Sequence, residues 1–150
     1  MQDQSQGMER RMVHRLLMHW RGAQQTDEIP TLDAVLSRDL GDLEDCLYVL
    51  DIRGDEPIYE RIGSDLLANG GKALIGEVVS DTPTQTLLGQ AIKYYSKVQI
   101  KQIPITLGGE FVHENGQTIL YRSLIAPLRD DEDGEDSFLL GAANCKVKDA

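Results

Sequence analysis

The run TILYRSLIAPLRDDEDGEDSFLLGAANCKV, residues 118–147, decides the fold. Residues 118–128 read as one long strand. Leu120, Leu124, Ala126 and Leu128 take one face; Ile119, Tyr121 and Ile125 take the other. A strand that is apolar on both sides is a central strand with something packed on each face. Residues 129–136, RDDEDGED, then place six acids in eight positions. Such a run repels itself in any buried setting, so it reads as an exposed, solvated hairpin loop. Residues 138–147 return as the last strand, with Phe138, Leu140 and Ala142 alternating inward.

Working back from this hairpin, Asn115-Gly116 is a strong turn signal between two strand-like runs. Before it, residues 99–107 alternate as a strand, with Ile103, Ile105 and Leu107 on one side and Pro104 at an edge or strand-start position. Residues 108–112 continue it through a bulge. Residues 86–98 carry Leu87, Leu88, Ala91, Ile92, Tyr95 and Val98 in one stripe, which predicts a single central helix. Residues 46–52, CLYVLDI, are a first strand and 58–62 a second, joined by a turn at 53–57. A short helix over 64–68 ends in Asn69-Gly70-Gly71. Thr31 is placed to cap a short helix over 32–38, with Leu32, Val35 and Leu36 inward. Residues 8–22 form an N-terminal helix with Met12, Val13, Leu16, Leu17 and Trp20 on one face and arginines and histidines elsewhere. That stripe suits either the chain's own domain or a second copy. A polar linker, 24–30, follows it. The fold class expected is α+β: about five antiparallel strands, helices on one face, and an N-terminal helix. Residues 1–7 are expected to be disordered, 8–22 to be that helix, and 23–150 to be the domain proper.

The chain has 150 residues, 15 Lys plus Arg against 25 Asp plus Glu, and a net charge of −10. Its length suits one domain, and 41% apolar residues argue against wholesale disorder. The negative charge disfavours non-specific binding to nucleic acid or to an anionic membrane. Cys46 and Cys145 form neither a disulfide framework nor a CxxC site and read as buried free thiols. No apolar run reaches transmembrane length and residues 1–9 lack a signal-peptide core, so a cytoplasmic location is expected.

His14 and His19 are five residues apart, off the i, i+4 spacing of a helical ligand pair, and His113 sits beside a turn. GxSxG is absent, and GGKALIG lacks the spacing of a phosphate loop. The acidic run lacks the register of a calcium-binding EF-hand loop. Neither a catalytic residue nor a metal site is expected. The better functional object is a cavity between the 86–98 helix and the sheet, with Tyr94, Tyr95 and Tyr121 as hydroxyls at its rim. Two other readings stay open: an adaptor or dimerisation module with a closed core, and a small enzyme or ligand carrier using a Glu/His/Tyr set.

Several stretches, taken in order, resemble a known family. They are HWRG at 19–22, Pro30, CLYVLDI at 46–52, IYERIGSDL at 58–66, the Asn-Gly reversal, LIGEVV at 74–79 and the Tyr-Arg strand with its closing strand at 121–145. The chain resembles the PAS sensory fold over about residues 10–147. In particular it resembles the PAS-like domain widespread in alpha-proteobacterial proteins, here as a stand-alone member. The resemblance implies a non-catalytic signalling domain that binds a small molecule or a protein partner. It implies a homodimer or a contact with a histidine kinase or other signalling protein, through the helix bearing Met12, Val13, Leu16, Leu17 and Trp20. The flavin photosensor branch carries Asn-Cys-Arg-Phe before the long helix, and haem-binding members a histidine near it. This chain has neither, so both are disfavoured and the cofactor stays unknown.

Overall fold

The computed structural model describes residues 11–26, 28–67 and 74–148. The decisive hairpin forms as read. Strands β4 (Thr118–Arg129) and β5 (Asp136–Val147) pair antiparallel from Ile119 opposite Val147 to Leu128 opposite Phe138. Strands β1 (Leu47–Asp51), β2 (Ile58–Ile62) and β3 (Ile105–Val112) complete a five-stranded antiparallel sheet of order β2-β1-β5-β4-β3. The β3–β4 register runs unbroken from Ile105 opposite Ile125 to Val112 opposite Thr118, so the bulge expected near 108 does not occur. The turn between them closes with Gly116 at φ +89, the left-handed geometry that the Asn-Gly pair announces.

The sheet is covered on both faces. On one side lie α3 (Ser64–Leu66), α4 (Leu87–Ala91) and α5 (Tyr95–Lys101), with a 3-10 turn at Val79–Asp81. They pack Leu66, Val79, Leu88, Ala91 and Val98 onto Tyr48, Leu50, Tyr121, Ile125 and Leu139. On the other side lie α1 (Met12–Gly22), α2 (Leu32–Leu36) and a 3-10 helix at Gly41–Cys46. They pack Met12, Leu16, Trp20, Val35 and Leu43 onto Leu47, Val49, Leu124, Ala126 and Leu140. The N-terminal helix is thus a structural layer, shared with α2. The two-sided apolar pattern of β4 is the sequence counterpart of these two layers.

Two expected elements differ. The stripe over 86–98 is split into α4 and α5 by an interruption at Ile92-Lys93-Tyr94. Periodicity reports which face is buried, and Leu87, Leu88, Ala91, Ile92 and Val98 are all buried across the break. The interruption falls where β-branched and aromatic residues weaken helix propensity. The strand expected from residue 99 begins only at Ile105, because α5 runs to Lys101 and Gln102 ends it in a left-handed conformation at φ 59. Pro104 stands just outside the strand, where it costs no ladder bond.

A second proline explains how α1 is held. The β3 ladder ends at Ile105 opposite Ile125, so Pro127 has a strand, β5, on one side only. Proline donates no N–H, and its free carbonyl accepts the Trp20 indole N–H at 2.8 Å. The helix therefore supplies the hydrogen bond that a continued β3 would have made.

The acidic loop is less free than its charge suggested. The Asp131 carboxylate accepts the backbone N–H of Asp33 at 3.0 Å in the first turn of α2, whose N-cap Thr31 accepts from Ala34. The Arg129 backbone N–H donates to the Pro30 carbonyl, and its Nε donates to the carbonyl of Ile29. An acid at a helix N-terminus is favourable, so part of the run is used for fastening.

Candidate functional site

The helical face of the sheet carries an unusual density of hydroxyls for a core. Tyr48 on β1 stands opposite Gly141 on β5. A methyl at Gly141 would overlap Cζ and the hydroxyl of Tyr48, so the phenol lies flat over the glycine. Glycine inside a central strand is the usual mark of such a close approach. Tyr48 is 0% exposed, and its hydroxyl has no hydrogen-bond partner among the described residues. Burial pushes its pKa upward, with the nearby Tyr59 phenol as a lesser cause, so it is a neutral donor and acceptor. Ser123 on β4 shares this face, since strand alternation places it between Tyr121 and Ile125. It too is 0% exposed and its Oγ has no partner among the described residues.

Beside them the hydroxyls are satisfied. Tyr59 Oη and Thr82 Oγ1 are 2.6 Å apart, and Thr82 Oγ1 donates to the Val79 carbonyl at 2.7 Å, so the Tyr59 O–H donates to Thr82. Burial pushes the Tyr59 pKa up to about 12.

Of the three tyrosines expected at a rim, the structure brings two near each other. Tyr121 is 3% exposed and meets Phe111 edge-on at 6.0 Å between ring centroids. Burial raises its pKa, and the Tyr94 phenol adds to the rise. Tyr94 is 43% exposed, with Lys97 Nζ over its ring at 5.3 Å. Tyr95 is half-buried and packs against the helical-face core. Tyr48, Ser123 and Tyr59 were not singled out from sequence. The available signal was the small-residue run Gly141-Ala142-Ala143 in a central strand, which implies a bulky neighbour lying across it.

The stripe of α1, open in sequence to the chain's own domain or to a second copy, faces this chain's own sheet. Met12, Leu16 and Trp20 are buried against this chain's own sheet, and Val13 and Leu17 flank them half-buried. In this arrangement the centre of the stripe offers no surface to a partner. The reason is the outer face of β4 and β5, which is as apolar as the inner one.

Both thiols are poor nucleophiles. Cys46 lies in the α1-side core, its Sγ donating to the Leu43 carbonyl at 3.3 Å, and burial above all pushes its pKa up to about 12. Cys145 is half-buried opposite Tyr121, and burial raises its pKa as well. His113 is part of its turn, where its Nδ1 accepts the Asn115 N–H at 3.3 Å. Among the described residues no three His, Cys, Asp or Glu side chains stand close enough to hold a metal ion.

The fold of this five-stranded sheet and its helices is similar to that of solved light-oxygen-voltage domains. No family model and no curated protein matches the chain. Solved structures do. One is a light-oxygen-voltage domain studied with a flavin analogue, with 20% identity, a TM-score of 0.53, and cover of 76% of this chain and 85% of that one. Another is the LOV domain of a blue-light activated histidine kinase from Erythrobacter litoralis, with 15% identity, a TM-score of 0.51, and cover of 71% and 99%. A third is the light-state dimer of the fungal blue-light photoreceptor Vivid, with 16% identity, a TM-score of 0.51, and cover of 93% and 95%. Identities this low establish the fold alone.

Proposed function

We propose that the chain is a non-catalytic sensory or regulatory domain that holds a small polar molecule against the hydroxyl-lined core and reports it to a partner protein. The observation that carries this reading is the pair of fully buried hydroxyls, Tyr48 and Ser123, on one face without a partner among the described residues. A buried polar group left unpaired costs about 1–3 kcal/mol. A ligand that bonds to both would recover that cost, and PAS-like neighbours with signalling roles in their names support the assignment.

A flavin whose chemistry runs through an adjacent thiol does not fit these residues. Neither α4 nor α5 contains a cysteine, Cys46 is on the opposite face, and Cys145 is a half-buried thiol on a strand, its pKa raised by burial. A smaller polar molecule suits the site better. The same proposal includes a second copy of the chain, or a histidine kinase or other signalling protein, as the partner. The exposed Ile100 and Ile103 beside β3 offer apolar surface away from the α1 stripe. It also includes an alpha-proteobacterial, cytoplasmic setting, which the motif resemblance supports. No helix among the described residues is long and apolar enough to cross a membrane.

Native mass spectrometry of freshly purified protein tests the reading. A bound small molecule is expected, reduced in Tyr48→Phe and in Ser123→Ala. A ligand-free protein whose Tyr48→Phe variant is simply more stable would instead support the closed-core adaptor, with the dimer visible in the same spectrum.

A further inference from the structure

The opposite face of the sheet carries an opening, independent of the hydroxyl-lined core. Between α1 and the β3–β4 edge lies a cavity of about 390 Å³, lined in part by Val13, His14, Leu17, Thr106, Gly108 and Arg122. That volume is within the roughly 300–1,000 Å³ of small-molecule sites. Its walls divide by chemistry. Val13 and Leu17, half-buried on α1, form an apolar side. Arg122 stands opposite Gly108 in the ladder, and its Cγ is 4.0 Å from where a Gly108 Cβ would be. The missing side chain at 108 leaves room beside the arginine stem. Arg122 Nε is buried and has no hydrogen-bond partner among the described residues. None of the lining residues among those described is acidic.

A guanidinium in a lining that holds no carboxylate among the described residues is matched best by a ligand carboxylate, which can accept two parallel bonds from it. An apolar wall next to it is matched by hydrocarbon. We propose that this groove binds an amphipathic monocarboxylate, its carboxylate on Arg122 and its aliphatic chain against Val13 and Leu17. One wall of the site is α1 itself, so occupancy favours the docked helix by mass action.

Calorimetric titration of the full chain with sodium octanoate, octan-1-ol and sodium phosphate tests this. Saturable one-to-one binding of octanoate is expected, with octanol about tenfold weaker or worse for lack of the charge-assisted bonds. Phosphate, lacking the chain, is expected to bind more weakly than octanoate. Arg122→Gln is expected to lose about tenfold or more. Gly108→Leu, whose Cβ meets only ordinary contacts, fills the floor and is expected to abolish binding. The proposal is overturned if octanoate shows no saturable binding, if octanol or phosphate matches it, or if either variant, folded, binds octanoate unchanged. If Arg122→Gln does not fold, Gly108→Leu and the octanol arm decide. Tyr48→Phe lies on the other face and is expected to leave octanoate binding intact, so this result and the fate of the hydroxyl-lined core are read separately.

Discussion

Gly141 and Tyr48 show how much can turn on one absent methyl group. The tyrosine ring occupies the space of a Cβ at 141, so Gly141→Ala forces either the ring or the strand to move. Overpacking of this kind costs about 1–3 kcal/mol. Gly141→Ala is therefore expected to lower the unfolding free energy measured by urea titration by that amount. Combining it with Tyr48→Leu, which removes the ring, is expected to cost clearly less than the sum of the two single changes. Additive costs would show that the ring and the glycine do not compete for space. Residue chemistry of this kind was only partly legible beforehand. Thr31 as a cap and the Asn-Gly turn are local, and both were readable from their own neighbours. The site residue Tyr121 was also visible, because its strand was recognised. Tyr48 was not, because its meaning depends on which residue lies across the sheet, and cross-strand register is not written in either strand alone.

At the scale of elements, the junction of α1 with the segment after α2 contains a pH-sensitive contact. Arg38 Nε donates to His19 Nδ1 at 3.0 Å, which requires a neutral imidazole. Burial lowers the His19 pKa first, Arg38 and Arg15 lower it further, and Asp39 opposes them. The unfolded chain therefore takes up this proton more readily than the folded one. The contribution to stability is complete above the ordinary histidine value of about 6.5 and is lost as pH falls toward the lowered native value. Urea midpoints measured from pH 8 down to pH 5 are expected to fall less in His19→Gln than in the parent chain. Identical slopes would remove His19 from the account. Element type and order were largely readable from period and punctuation, from the 58–62 strand to the last hairpin. The split of the 86–98 stripe was not readable, because a broken helix and a straight one bury the same positions.

For the molecule as a whole, the central fact is a sheet with two cores, one of them closed by α1. The double-sided apolarity of β4 announced that both faces would be covered. It did not announce that α1 would be the cover, since an amphipathic stripe suits a sheet face and a second helix equally. Trp20→Phe keeps the ring burial and removes the bond to the Pro127 carbonyl. A loss of about 1–3 kcal/mol is expected for the buried acceptor left behind. Hydrogen exchange is expected to quicken in the α1 amides more than in the β4–β5 ladder. Uniform acceleration across both would mean that α1 does not open separately from the sheet.

Trp20 and its carbonyl partner are 107 residues apart in the chain. At a synthesis rate of about 5–20 residues per second, that spacing separates their appearance by roughly 5–20 s. Helix α1 thus leaves the ribosome well before it can be placed, since β4 and β5, the strands it rests on, follow it late in this order of elements. During that interval Met12, Leu16 and Trp20 have no sheet to cover, and only the basic residues around them keep the nascent helix in water. A chain stalled before residue 118 carries this apolar stripe uncovered, which makes α1 the natural point for a chaperone to hold.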